Sequence, residues 1–417
     1  MRILKLTPAV EKQLLRARQS RDTEAKRIAA RIISDVRYRG DNALFAWTKK
    51  LDAADLLRRS LWISPQEFSA SRDSVSGDFL RALEHAARNI RSVAEKQLHR
   101  PWKLRVEPGV TISQLIRPIE TIGCYIPGGR YALVSTLLMT IIPAQVARVP
   151  RVIVVCPRPN PELLAAADFL GVRQMARIGG AQAIAALAYG TQSVPRVEKI
   201  FGPGNRFVTA AKQLVSNDCA IDLPAGPTEA VVLASKGNPV WIAADLLAQA
   251  EHAADAGSFF VTTSKSLALS VEAEIRNQLR RLPQTNPAYV SRQKAGAILV
   301  AASVESACEF VNRFAPEHLS LPAASPSLLN KIHSAGTIFL GPWAAQPLGD
   351  YLSGSNHVLP TGGWARRRGG LSTTDFVKCI TVQSIDRGGF ARLAPHGQML
   401  ANAEGLAAHA NALELRQ

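Results

Sequence analysis

GCYIPGG (123–129), STLLMTIIPAQVARV (135–149), RVIVVCP (151–157), NPELLAAADFLG (160–171), QMARIGG (174–180) and AQAIAALAYG (181–190) follow one another almost without a gap. The short apolar runs end in Gly or Pro, and stretches of Ala and Leu of helical length fill the spaces between them. The segment therefore reads strand, helix, strand, helix, strand, helix. That rhythm predicts a parallel sheet covered by helices on both faces.

Working outward, the same texture restarts at EAVVLAS (229–235), where a helix through WIAADLLAQAEHAAD (241–255) leads to the strand SFFVTTS (258–264). A long amphipathic helix around 266–282, AGAILVAAS (295–303), a helix near 306–314 and GTIFLGP (336–342) complete a second α/β set. Upstream, LTPAVEKQLLRARQ (6–19) and DFLRALEHAARNIRSVAEKQL (78–98) carry apolar residues at helical spacing, and KLRVEPGVTISQLIRPI (103–119) is strand-rich. The tail after about Leu371 turns helical again and ends in AEGLAAHANALELR (403–416). Two α/β units with helical material at both chain ends are expected.

A chain of 417 residues is too long for one ordinary core. Its 47% hydrophobic and 20% charged residues are those of a folded globular protein. No apolar stretch approaches the roughly 20 residues of a membrane span, and the N-terminal sequence lacks a secretory pattern, so a cytoplasmic protein is expected. Five scattered cysteines without a CxxC pair point to buried, inert thiols rather than disulfides or a thiolate zinc cluster. The net charge of +17 could attract nucleic acid. The Lys and Arg residues are spread along the chain, however, and the only tight run is Arg366-Arg367-Arg368, so neither a nucleic-acid nor a membrane partner is expected.

Neither unit contains GxGxxG or a GxxxxGK[ST] loop. The glycine turns are Tyr125-Ile126-Pro127-Gly128-Gly129, Gly179-Gly180-Ala181-Gln182 and Phe201-Gly202-Pro203-Gly204-Asn205. They lie at the ends of predicted elements, where parallel-sheet proteins place ligands. The polar residues are more telling. Gln249 and His252 are three apart on a predicted helix and share a face. Glu317 and His318 stand together in APEHL, Asp350 and His357 share the loop GDYLSGSNHVLPT, and Glu404 and His409 lie near the C-terminus. Two His, one Asp and an amide oxygen are donors for a borderline cation such as zinc, and an adjacent acid and imidazole can work as water activator and general base.

In this order, YIPGG, VSTLLMTIIPAQVA, GGAQAIAALAYGT, KIFGPGNRFVTAAK, IDLPAGPTEAVV, DLLAQAEH, APEHL and GDYLSGSNHVLPTGG closely resemble the histidinol dehydrogenase family over nearly the whole chain. The resemblance implies two successive NAD-dependent oxidations, from L-histidinol through L-histidinaldehyde to L-histidine, the last steps of histidine biosynthesis. It implies one Zn2+ per subunit, held by Gln249, His252, Asp350 and His409. Glu317 and His318 become the catalytic pair, His318 as general base and Glu317 as activator of water. Tyr125, Gln182 and Asn205 match NAD contacts. Thr228, Gln249, His252, His318, Asp350, His357, Glu404 and His409 match the substrate site.

The implied fold is two incomplete Rossmann-like parallel-sheet domains, one inserted in the other, with helical N- and C-terminal segments. Residues 1–20 form the N-terminal segment. Residues 21–123 and 229–370 form the first domain with the metal and catalytic residues, 124–228 the inserted NAD-contacting domain, and 371–417 a C-terminal dimer-exchange segment. The implied assembly is a homodimer with shared active sites, in which Glu404 and His409 act across the interface. Thr228 stands where the family commonly has Ser. That, with the Arg366–Arg368 run, leaves open a dehydrogenase of the same scaffold acting on another small alcohol or diol, including an anionic one.

Overall fold

The computed structural model describes residues 1–417 apart from 19–21, 53–55, 57–59, 129–132, 224–225, 324–325 and 417. Gly129 of the first glycine turn, Ala225 of the 221–232 motif, and the 20/21 boundary drawn above lie outside the described residues.

In chain order the strands are β1 (Arg2–Lys5), β2 (Trp102–Glu107), β3 (Val110–Pro118), β4 (Thr121–Tyr125), β5 (Arg151–Val155), β6 (Met175–Ala176) and β7 (Lys199–Phe201). They continue as β8 (Ala220–Ile221), β9 (Glu229–Leu233), β10 (Gly257–Thr262), β11 (Gly296–Val300), β12 (His318–Leu321), β13 (Thr337–Leu340) and β14 (Val377–Ile385). One parallel sheet of six strands has the order β1-β11-β10-β9-β12-β13. A second, of five, has the order β6-β5-β4-β7-β8, again all parallel. The remaining sheet, β14-β3-β2, is antiparallel. The architecture is the expected one, two parallel sheets clothed in helices.

The reason is clearest at β9. All its residues, EAVVL, are buried, as a central strand with helices on both faces requires. Val231 enters a core with Phe310 and Val311, while Val232 enters another with Ile242 and Leu246. Helix Pro239–Ala250 begins where Asn238 accepts from the Val240 amide and Pro239 occupies a first-turn position that needs no N–H. In the five-stranded sheet the strand order reverses between β4 and β7. The two come close there because residue 202 is Gly: at φ +106° a Cβ would stand 2.1 Å from the Tyr125 carbonyl oxygen.

Three features depart from the reading above. Arg2–Lys5, within the segment read as helical, is the edge strand of the six-stranded sheet, paired with Ala297–Val300, before helix Pro8–Arg18 begins. Its four residues are too few to show a period. Val377–Ile385, within the tail read as helical, is a strand paired along its length with β3, and helices Arg387–Ala403 and Ala407–Glu414 follow it. The helices of residues 21–123, grouped with the first unit, pack over the five-stranded sheet instead. Ala29, Ile32 and Val36 share a core with Ile184, Leu187 and Val208, and Leu83, Ala87 and Ile90 share one with Leu137 and Ile141. Periodicity reveals that a helix buries one face, not which sheet receives it.

Candidate active site

Helix Val304–Phe314 stops at Ala315, which takes the left-handed conformation (φ 50°). Glu317 and His318 follow at the start of β12, with the loop backbone tied to β13 by Gly336 N to Pro316 O (2.9 Å) and Thr337 N to Glu317 O (3.0 Å). Because β12 lies beside β9, with His318 in register with Ala230, Thr228 and Glu229 meet this pair at the amino ends of both strands. The Thr228 hydroxyl donates to Glu317 Oε2 (2.6 Å), and the Glu229 amide donates to the same oxygen (2.9 Å). Gln249, fully buried in the last turn of helix Pro239–Ala250, donates Nε2 to Thr228 Oγ1 (2.9 Å). Its Oε1 accepts from Gln346 Nε2 (2.6 Å).

His318 is buried between two carboxylates, Nδ1 3.7 Å from Glu317 Oε2 and Nε2 3.7 Å from Asp350 Oδ1. Those separations exceed a hydrogen bond, and neither ring nitrogen has a hydrogen-bond partner among the described residues. Its ring stacks on Phe339 at 6.0 Å. Asp350 lies in the short helix Gln346–Tyr351 rather than in a loop. His252 stands just past the end of its helix, exposed, with Nδ1 3.0 Å from Ala248 O. His357 sets Nδ1 3.0 Å from Asp350 O and Nε2 3.2 Å from Thr136 Oγ1. Thr136 belongs to helix Val134–Val146, which follows β4, so His357 links this site to the five-stranded sheet.

The charges interlock. Burial lifts the Glu317 carboxyl above its ordinary value, opposed by His318, the Thr228 hydroxyl and the Glu229 amide. Burial lowers the His318 imidazole, but Glu317 and Asp350 outweigh it and the net shift is upward. Burial works against the Asp350 carboxylate too, yet His318, His357 and His252 together hold it below the usual range. His357 is pushed down by burial, only partly offset by Asp350.

At the other sheet, Tyr125 ends β4, and its hydroxyl accepts from the Gly180 amide (3.2 Å). Gln182 is buried in the first turn of helix Gly180–Tyr189. It donates to Asp52 (3.1 Å) and keeps Oε1 without a partner among the described residues. Asn205 caps helix Arg206–Val215, accepting from Phe207 N and Val208 N. All three therefore stand at the carboxyl ends of β4, β6 and β7, around the point where the strand order reverses.

One chain does not bring Glu404 and His409 to this site. Both are exposed on the C-terminal helices, beside exposed Met399, Leu400 and Leu406. Among the described residues, no three His, Cys, Asp or Glu side chains converge as a cation cage. The Arg366–Arg368 run is engaged with the protein itself. Arg366 donates to Arg313 O (3.0 Å), Arg367 lies over the Trp364 ring, and Arg368 forks onto both oxygens of Asp375 (3.0 Å). Of the thiols, Cys379 is exposed, whereas the other four are buried, and burial lifts Cys124 to about 12.

Sequence reasoning missed Gln346, the partly buried Arg18–Glu229 ion pair and the buried Lys212–Asp222 pair. Asp222 accepts from Gly202 N (2.7 Å) and Lys212 donates to Gly202 O (2.7 Å), so this pair pins the loop carrying Asn205. Both residues lie inside the quoted motifs, and a Lys and an Asp in otherwise apolar company were the available signal.

Two parallel sheets, with a buried acid–imidazole pair at the amino end of the six-stranded one, define an α/β enzyme. The family model for histidinol dehydrogenase matches residues 15–417. Histidinol dehydrogenase of Aquifex aeolicus is 42% identical over 398 residues, 95% of this chain and 93% of its own. That of Halalkalibacterium halodurans is 44% identical over 393 residues, 92% of each. The crystal structure of histidinol dehydrogenase from Elizabethkingia anophelis superposes with a TM-score of 0.93 at 36% identity, covering 100% of this chain and 98% of that one. The chain belongs to the histidinol dehydrogenase family, oxidoreductases acting on a CH–OH group.

Proposed function

We propose that this protein oxidises L-histidinol through L-histidinaldehyde to L-histidine, reducing two NAD per turnover in the cytoplasm. The observation that carries the reading is the Glu317–His318 pair, buried beside Asp350 with the Glu317 carboxylate already held by Thr228 and Glu229. His318 accepts the alcohol proton, and the carboxylates on either side favour the imidazolium that results. Glu317 Oε2 is occupied by two donors, which leaves Oε1 to polarise a water for attack on the aldehyde. The Thr228 hydroxyl orients that carboxylate, and Gln249 and Gln346 fix the hydroxyl in turn.

Bound NAD supplies the hydride acceptor, with Tyr125, Gln182 and Asn205 as its contacts. The buried, unpaired Oε1 of Gln182 and the reversal point of the strand order support that place. Zinc would be held by Gln249, His252 and Asp350 of one chain and His409 of a second. Imidazole, carboxylate and amide oxygen are donors that fit such a cation, and His252 lies near enough to act on the charges of Glu317 and Asp350. The metal would supply a Lewis acid and an orienting clamp. Thr228, His357 and Glu404 would complete the substrate site, Glu404 from the partner of a homodimer. No observation favours an anionic substrate, because the Arg366–Arg368 run is occupied by Arg313, Trp364 and Asp375.

The test is NADH yield from limiting L-histidinol, beside a panel of small diols. Two NADH per L-histidinol are expected, none from His318→Ala, and arrest after the first from Glu317→Gln. One NADH per molecule in the unmutated protein, or a diol turned over in preference, would overturn the reading.

A further inference from the structure

All residues assigned so far on the six-stranded sheet stand at its amino end. Open parallel sheets instead take ligands at the carboxyl ends of their strands, where the strand order reverses. Here the reversal lies between β9 and β12: β10 and β11 succeed β9 on one side, and β13 succeeds β12 on the other. The carboxyl end at that point holds a cleft of about 270 Å³, at the other end of both strands from Glu317. Leu233, Ala307 and Leu328 give it an apolar floor, and Ser235, Lys236 and Lys331 give it a polar rim.

The rim is basic. Lys236 is exposed and has no ion-pair partner among the described residues. Lys331 is shared with Glu305 (2.7 Å), and both of those side chains are largely exposed. No acidic side chain lines the cleft. Val304 and Ala307, in the first turn of helix Val304–Phe314, line the same space, and Ser303 caps that turn by accepting from the Ser306 amide. Strands β9, β10 and β11 with their helices form one half of a doubly wound unit, and such a half accommodates a mononucleotide.

We propose that the crevice between the carboxyl ends of β9 and β12 is a second ligand site. It takes a small organic phosphate of mononucleotide size, with the phosphate at Lys236 and Lys331 and the organic body on the apolar floor. The proposal does not depend on the dehydrogenase reading, which concerns the opposite end of the sheet.

Photolabelling the full-length protein with 8-azidoadenosine 5′-monophosphate, followed by peptide mapping, tests it by location. Saturable labelling is expected on segments 233–236, 304–307 or 327–331, and AMP should protect whereas adenosine should not. Lys236→Glu, an exposed change, should raise the half-saturating concentration about tenfold or more, equivalent to ~1.4 kcal/mol. Label confined to residues 125–205 would overturn the proposal. So would labelling unchanged by Lys236→Glu, protection by adenosine equal to that by AMP, or no saturable labelling at all.

Discussion

Replacing Thr228 by Val keeps the side-chain shape and deletes one oxygen. That oxygen donates to the Glu317 carboxylate at 2.6 Å and accepts from the Gln249 amide at 2.9 Å. A hydrogen bond to a charged group contributes roughly 1.5–3 kcal/mol and a neutral one about 1 kcal/mol. The loss should therefore total about 3 kcal/mol, with the Gln249 Nε2 left unsatisfied in a buried site. Thr228→Ser keeps both bonds and should stay within about 1 kcal/mol of the parent, since only a methyl goes.

Chemistry should move as well. The hydroxyl favours the ionised form of Glu317 against the burial that lifts its pKa, so removing it must raise that pKa further. If Glu317 works as a carboxylate, the acid limb of the pH–rate profile shifts to higher pH in Thr228→Val and stays in place in Thr228→Ser. Urea unfolding followed by circular dichroism reads the first effect, and initial rates of NADH formation across pH read the second. A Val variant as stable as the parent, with an unmoved acid limb, would falsify the argument that this hydroxyl holds Glu317.

Two other outcomes follow from burial and exposure. Burial raises the Glu229 carboxyl from 4.5 to about 7 despite Arg18, so the folded state holds that proton more tightly than the unfolded chain. Its contribution to stability is complete below about pH 4.5 and is lost by about pH 7, at up to ~1.4 kcal/mol per pH unit. Glu229→Gln should flatten the dependence of the urea midpoint on pH across that window, and an unchanged slope would exclude Glu229 as its source. Met399 and Leu400 are 70% and 67% exposed, so Met399→Asp with Leu400→Asp should cost little folding stability. If the proposed homodimer forms through this surface, the double variant should sediment as a monomer and lose turnover, whereas a stable, active dimer would show that this surface is not the interface.

Much of the fold was legible because its signals are local. The uninterrupted EAVVL run of β9, the Pro and Asn that start helix Pro239–Ala250, and the glycine turns after β4 and β7 all act within a few residues. β1 and β14 were not legible, since Arg2–Lys5 and Val377–Ile385 become strands through partners far away in sequence. The site divides in the same way. Glu317 with His318, Gln249 with His252, and Asp350 with His357 were visible as pairs, and the similarity supplied their roles and Thr228. Gln346, Arg18 and Glu229 matter only because folding stacks their polar groups on Gln249, Phe314 and Glu317. Spacing along a chain carries no trace of such meetings.

The pairing of Arg2 with Ala297 also has a consequence for synthesis on the ribosome. Every strand of the five-stranded sheet has been made once Ile221 is added, so its ladder can form early, while its core waits for Phe376, which stacks on Phe201. The first strand of the other sheet must wait, with Ile3 and Leu4 uncovered, until its partner β11 is translated. Contacts between such distant segments form slowly, and unpaired strands are where chains aggregate. Yield in a cell should therefore depend on how quickly translation passes from β1 to β11 and on chaperones that shield the waiting strand.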